Sequence, residues 1–415
     1  MLTFEMKRYE RGAFPGFTAT VVSDRGDLAG DVFVRVPEKS ADLLSPHDDA
    51  LLPYLAFLAL VRGEYLEGGG LAVDPVLLRN LRAALAQYGA WFPALRPPVL
   101  SGFGKTSRTT VRAAGAASFF SGGIDSQFTL ARHSEGRWRT AVSSIDQDVD
   151  YALHVYHCAD LDEVDGSDST MAALAANAEA LGARFLPIYS NAMTFDRRLH
   201  DRWGDVGHGA FLASVLHALS GQVGVGMIGS THSYGHIQPW GSSPITDPLF
   251  SSSRLRVVHD GSTFTRVEKT MIAAESPAVR RAINVCDTRV EGLGYVNCSS
   301  CQKCLRTMIT LDLAGLSGAD ACPAFNWSRY RPDQFGQVLL RNDNERAFAQ
   351  EILDAARADR PDIAAAAARA LRRSRYLFPI ARIEDAVKTT ALGRRFRAPL
   401  KRSRDRVYRA LNWGK

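Results

Sequence analysis

No stretch of this 415-residue chain approaches the roughly 20 apolar residues that a helix needs to cross a bilayer. The opening residues, MLTFEMKRYERG, have no basic segment followed by an apolar one, so they do not read as a secretory signal. A cytoplasmic protein is expected. No internal repeat and no long low-complexity tract occurs. Cysteine is scarce, with six residues, yet Cys298, Cys301 and Cys304 lie within seven positions. In a cytoplasmic chain such clustering points to a metal site before it points to disulfides.

Basic charge is missing from most of the chain. The formal charge is +6, but residues 388–415 hold ten Lys or Arg and one Asp, a local +9 that leaves −3 for the rest. The main body is therefore not a basic surface. Hydrophobic content of 46% and charged content of 23% are those of a globular protein. At this length one large core or two to three ordinary domains are expected.

Residues 1–110 read as a separate α+β unit. FTATVVS and DVFVRVP are short strands joined by a polar turn at Gly30. SPHDDALLPYLAFLALVRGEYL predicts a helix opening at Ser45-Pro46, DPVLLRNLRAALAQYGAWF predicts a second, and PALRPP reads as a rigid linker. From about 113 the pattern changes. AAGAASFF, YALHVYHCA, RFLPIYS and VGVGMIGS read as strands, with helical segments between them. That alternation predicts an α/β fold, a parallel sheet with helices on both faces. Domains are expected at 1–110, 111–325 and 326–415, the last one helical and ending in the basic tail.

The segment FFSGGIDS, residues 119–126, sits where the first of these strands meets its helix. Two glycines after a parallel strand allow a tight turn. They leave several N–H groups directed at one spot, with the positive end of a helix behind them. That is an anion cradle suited to pyrophosphate, with Ser121 and Ser126 able to add hydroxyl donors. Asp125 suits a helix cap, or a Mg²⁺ ion bridging phosphates. The segment lacks the Gly-Lys-Ser/Thr of a Walker A loop, and it is not G-x-G-x-x-G.

SGGIDS after AASFF resembles the PP-loop of the ATP pyrophosphatases. The resemblance covers roughly residues 113–315 and implies a PP-loop (HUP-like) α/β fold. It also implies that Ser121, Gly122, Gly123, Asp125 and Ser126 hold the pyrophosphate of ATP and Mg²⁺. Members cleave ATP between the α and β phosphates. They adenylate an oxygen of the substrate, and a nitrogen or sulfur nucleophile then displaces AMP. The resemblance would also place Lys269, in RVEKTMIAAE, near the phosphates; its other reading is a solvated helix lysine.

Cys286-x11-Cys298-x2-Cys301-x2-Cys304 has the spacing of a four-thiolate knuckle, which suits a tetrahedral Zn²⁺. An iron–sulfur cluster is the alternative, but its next cysteine should fall three residues on, where Leu-Arg-Thr stands at 305–307. Cys158 and Cys322 read as ordinary buried thiols. A PP-loop together with this cysteine run resembles the 7-cyano-7-deazaguanine synthases and longer QueC-like proteins. The N-terminal unit, the 231–253 loop and the basic tail depart from the synthases, and they leave the substrate open.

That loop, THSYGHIQPWGSSPITDPLFSSS, follows a strand at the expected carboxyl edge of the sheet. His232, Tyr234, His236 and Trp240 are candidates to stack on a planar substrate. Asp160 and Asp162 are candidates for the adenosine end. The basic tail, with interleaved Phe, Tyr and Trp, suits nucleic acid or an anionic membrane surface. The combined expectation is an ATP-dependent ligase. It adenylates a carboxylate or carbonyl oxygen of a small-molecule or protein-borne acyl substrate, and ammonia or an amine then forms an amide or nitrile. The alternatives are an adenylating enzyme acting on a tRNA or other nucleic-acid base, and a non-catalytic nucleotide-binding module.

Overall fold

A computed structural model describes residues 1–106, 111–137, 145–164, 169–286 and 296–388, with side chains up to position 375. The strands in chain order are β1 (Leu2–Tyr9), β2 (Gly16–Ser23), β3 (Ala29–Arg35), β4 (Leu66–Glu67), β5 (Ala72–Val73) and β6 (Leu100–Ser101). They continue as β7 (Gly104–Lys105), β8 (Gly115–Phe119), β9 (Tyr151–His157), β10 (Arg184–Ser190), β11 (Val223–Gly229) and β12 (Arg256–Asp260). Ten of them form one sheet in the order β12-β11-β8-β9-β10-β3-β2-β1-β4-β6, flanked by helices.

The five strands from β12 to β10 are all parallel. Helices join β8 to β9, β9 to β10 and β10 to β11, and a long loop joins β11 to β12. Sequence order reverses at β8. The chain proceeds one way to β9 and β10, then returns to the other side of β8 for β11 and β12. The carboxyl ends of β8 and β11 therefore flank a topological switch point, where open α/β sheets bind ligands.

The 1–110 segment keeps only the short two-stranded pair β5–β7 to itself. Its strand β3 pairs antiparallel with β10 through Arg35–Tyr189 and Val34–Ser190, and β2 and β1 extend the sheet from there. Helix Leu52–Arg62 is buried on nearly every residue and packs with helix His208–Ala218 in the same core. The chain divides instead into compact units of residues 1–264 and 265–415, so the expected break at 110 falls inside the first unit.

The predicted helix start at Ser45-Pro46 lies too early. The α-helix begins at Leu52, with Pro53 in its first turn, where the missing N–H of proline costs nothing. Asp74, by contrast, caps helix Pro75–Trp91 as the DPV motif suggests, accepting from Val76 and Leu77 N–H.

In the second unit, helices Arg266–Ala273, Gln302–Leu313, Asp343–Ala356 and Pro361–Lys388 gather around Val267, Ile309, Ile352 and Ile363. The basic tail from 389 onward lies outside the described residues. Among the described residues no helix is long and apolar enough to cross a membrane.

Candidate functional site

Strand β8 runs into the segment Phe120–Gly123, and helix Ile124–Arg132 follows. Gly122 turns at φ +77°, a left-handed conformation that an L side chain adopts only with strain. Gly123 is the N-cap residue, and no side chain caps this helix. Its first-turn N–H groups lie at the positive pole of the helix dipole. Ser121 is exposed and Asp125 half-buried at this mouth.

The expected division of labour changes in two places. Asp125 lies inside the first turn, past the cap position, so it is not the cap. The Ser126 hydroxyl accepts from Ser121 N–H at 3.2 Å and donates to Gly123 O at 2.9 Å. Ser126 is buried and braces the turn, which leaves Ser121 as the exposed hydroxyl. His154 on β9 adds a second brace through Nδ1 to Phe120 O at 2.9 Å.

The helix behind the turn is fixed from β12. The Asp260 carboxylate, fully buried, accepts from Thr129 Oγ1 at 2.8 Å and pairs with Arg132 Nη2 and His133 Nε2 at 3.4 Å each. Burial pulls the Arg132 guanidinium below its ordinary pKa, and Asp260 opposes that shift. Removing the carboxylate would leave a buried guanidinium without its counter-charge. Asp260→Ala is therefore expected to cost about 3–5 kcal/mol of stability by urea unfolding. A loss below about 1 kcal/mol would contradict the pairing.

The 231–253 loop leaves the carboxyl end of β11, next to this turn in the sheet. Its second half is firmly held. The Asp247 carboxylate accepts from Ser242 Oγ at 2.6 Å, from Ser243 N–H at 3.1 Å and from His259 Nδ1 at 2.7 Å. Tyr88 Oη donates to Trp240 O at 3.0 Å, and Asn80 Nδ2 to Ser251 O at 2.9 Å.

The four aromatic and imidazole candidates divide into two pairs. Trp240 meets His232 edge-on, with ring centres 6.0 Å apart, and meets His208 at 5.9 Å. His232 is buried and bonded to the Gln238 amide at 2.9 Å. Tyr234 and His236 are exposed.

Sequence reasoning missed the neighbours of this wall. Trp203 opens a π-helical turn, Trp203–Gly207, whose Gly204 lies under the Trp240 ring, and Trp203 packs edge-on to His157 at the end of β9. A π-turn leaves no mark in a 3.6-residue pattern, although such turns often occur at functional sites. Asp160 and Asp162 are exposed on the short turn after β9.

In the second unit, the sulfurs of Cys286, Cys298, Cys301 and Cys304 all lie within 4.8 Å of one another. Sulfur–sulfur distances are 3.4 Å for Cys301–Cys304, 3.7 Å for Cys298–Cys304 and 3.9 Å for Cys286–Cys301. Metal–sulfur bonds of ~2.3 Å at tetrahedral angles require edges of ~3.8 Å. The four cysteines can thus hold a metal ion such as zinc.

Local structure explains the fit. Ser299 takes φ +57°, which turns the chain so that Cys301 N–H donates to Cys298 Sγ at 3.4 Å. Buried Asn297 ties the two arms together. Its Nδ2 donates to Ile283 O and Ala324 O, and its Oδ1 accepts from Val285 N–H. The hydrogen bond between Cys301 and Cys304 holds the Cys301 thiol down at about 5 despite burial, and the same bond with burial pushes Cys304 up. A bound cation would replace the protons these thiols share. Cys322 is elsewhere, buried and donating to Arg280 O at 3.2 Å, and Cys158 is buried at the end of β9.

No family model, characterised protein or solved structure matches this chain. The function must be argued from the residues themselves.

Lys269 belongs to the second unit, on helix Arg266–Ala273, and is fully buried instead of solvated. Lys303 is exposed, and Arg306 stacks on the Phe348 ring at 4.4 Å.

Proposed function

We propose that this protein is an ATP-dependent, AMP-forming ligase of the PP-loop type. The observation that carries the reading is the Ser121–Ser126 turn. It is glycine-rich, leads into an uncapped helix and follows the parallel strand at the switch point. The Ser121 hydroxyl and the N–H groups of Gly122 to Ser126 hold the pyrophosphate portion of ATP. Mg²⁺ would neutralise phosphate charge there, and Asp125 is the residue that would hold it.

Departure of pyrophosphate leaves the substrate oxygen adenylated, and ammonia or an amine displaces AMP to form an amide; a nitrile forms only when a second ATP adenylates the oxygen of a primary amide, which then leaves as AMP with loss of the two amide protons. Positioning and charge neutralisation supply the catalysis, so no protein nucleophile is required. Lys269 is assigned to the phosphates by resemblance alone. The cysteine centre offers four thiolates and no open position, which suits a structural Zn²⁺ instead of a catalytic one. The acyl substrate is a small molecule or is borne on a protein.

The test is to supply ATP, Mg²⁺, ammonium and a panel of carboxylic acids, and to measure AMP and pyrophosphate. Stoichiometric AMP and pyrophosphate with at least one acid supports the reading; ADP and phosphate instead, or neither product, overturns it.

The loop yields a separate expectation. His236→Ala and Trp240→Ala should lower amide formation more than AMP formation, because a disturbed cover admits water to the adenylate. Both products are measured in one reaction. An unchanged ratio and rate in both variants would make the loop purely structural.

A further inference from the structure

Tyr9, Gly16, Arg35, Tyr189 and Tyr156 are successive partners across β1, β2, β3, β10 and β9. Directly paired residues point to the same side of a sheet, so the five form one row on one face. The row sits one residue short of the carboxyl ends of β9 and β10, on the same edge as the Ser121–Ser126 turn. Three strand spacings of ~4.8 Å separate β8 from β3, about 14 Å in all.

Arg35 is only 7% exposed. Its Nη2 bonds Thr18 Oγ1, while its Nη1 is buried with no hydrogen-bond partner. The guanidinium lies 4.2 Å from the centre of the Tyr9 ring. Gly16 stands between the two and carries no side chain, which leaves room for ring and guanidinium to meet. A Cβ there would fall 2.2 Å from Val34 O.

Other buried arginines of this unit have counter-charges. Arg62 pairs with Glu64 and Asp196, Arg132 with Asp260, and Arg254 with Asp49. Among the described residues no carboxylate pairs with Arg35. Asp31, on the same strand, accepts from Thr20 Oγ1 and reaches the Arg35 charge only by through-space attraction. Burial draws the Arg35 guanidinium below its ordinary pKa, and Tyr9 and Asp31 offset that only in part. A desolvated charge with no paired carboxylate and a buried, unbonded Nη1 is expensive, and an incoming anion relieves it.

We propose that Arg35, flanked by Tyr9 and Tyr189, is an oxyanion-binding subsite for a carboxylate or phosphate group on a ring-bearing molecule. The planar guanidinium fork matches either group. Tyr189 is nearly buried and meets Phe14 edge-on at 5.1 Å, so it forms a fixed wall. Tyr9 is 44% exposed at the end of its strand and is the ring that shifts to admit the ligand. Calling that molecule the ligase substrate rests on the proposed function; the anion site itself does not.

The test uses the full chain without ATP, so failure of the ligase reading would show separately, as absence of AMP formation. Benzoate, phenyl phosphate and neutral benzamide are titrated calorimetrically, and the preferred anion tells carboxylate from phosphate. At least one anion should bind and benzamide should not. Arg35→Met should weaken anion binding at least ~10-fold, the scale of a lost charge-assisted hydrogen bond. Without any probe, Arg35→Met should melt at or above the wild-type temperature, because an unpaired buried charge is gone. Tyr9→Ala keeps the guanidinium and should reduce the preference for phenyl phosphate over inorganic phosphate. Anion binding absent from the wild type, undiminished in Arg35→Met, or unaltered in ring preference in Tyr9→Ala overturns the proposal. So does a lower melting temperature of Arg35→Met, which would make Arg35 structural.

Discussion

Asp125→Ala is expected to lower AMP formation from ATP by at least ~10²-fold, the scale of losing one preorganised electrostatic group. The residue stands in the first helical turn beyond an uncapped N-terminus, so its carboxylate is not needed to start the helix. Ser121→Ala should fall in the same direction. Its hydroxyl is exposed, and its side chain has only a 3.5 Å approach to Ser126 to lose. A surface change of that kind shifts stability by no more than about 0.5 kcal/mol.

Activity and stability should therefore separate in these two variants. Ser126→Ala should not show that separation. Its hydroxyl bridges Ser121 N–H and Gly123 O, so its loss loosens the turn and lowers both together. Wild-type AMP formation in Asp125→Ala and Ser121→Ala would remove the phosphate assignment. The test combines steady-state AMP formation with thermal melting of the same preparations.

Much of this site is written locally, and that is why it was legible. Strand, glycine turn and helix are contiguous from Gly115 to Arg132, and each element follows from its own residues. RFLPIYS and VGVGMIGS coincide with β10 and β11 because short apolar runs bounded by turn signals need no distant information.

What escaped was non-local. Strand β12, RVVHD, is five residues long with charged ends, and it becomes a strand only because β11 offers a parallel edge. No sequence pattern marks its Asp260, which is buried against Thr129, Arg132 and His133, over 120 positions upstream. The N-terminal strands likewise read as a separate unit, because the β3–β10 pairing joins residues more than 150 positions apart. Arg35, the residue that pairing brings to the carboxyl edge of the parallel strands, has no sequence signature at all.

Removal of the metal is expected to have the largest effect on stability. Purified protein should contain about one zinc per chain, by the count of four thiolates. Cys298→Ser should lose most of it, since Cys298 Sγ both approaches Cys304 and receives Cys301 N–H. Four neighbouring thiols without a cation must keep their protons or repel one another. Structural zinc sites contribute roughly 10–16 kcal/mol of apparent binding free energy at neutral pH, so even a partial loss is large. In a unit of this size each kcal/mol corresponds to about 2–4 °C. A fall of at least ~10 °C is therefore expected for the 265–415 unit.

Hydrogen exchange locates the effect. Amides of helix Gln302–Leu313, which begins at the Cys301 cap, should lose protection, while those of β8 and β9 keep theirs. Because metal and protons compete for the same sulfurs, zinc should also dissociate as pH falls. Full zinc content and unchanged protection in Cys298→Ser would show that the sulfurs converge without a metal. Iron in the purified protein would replace zinc by a cluster held on the same four residues.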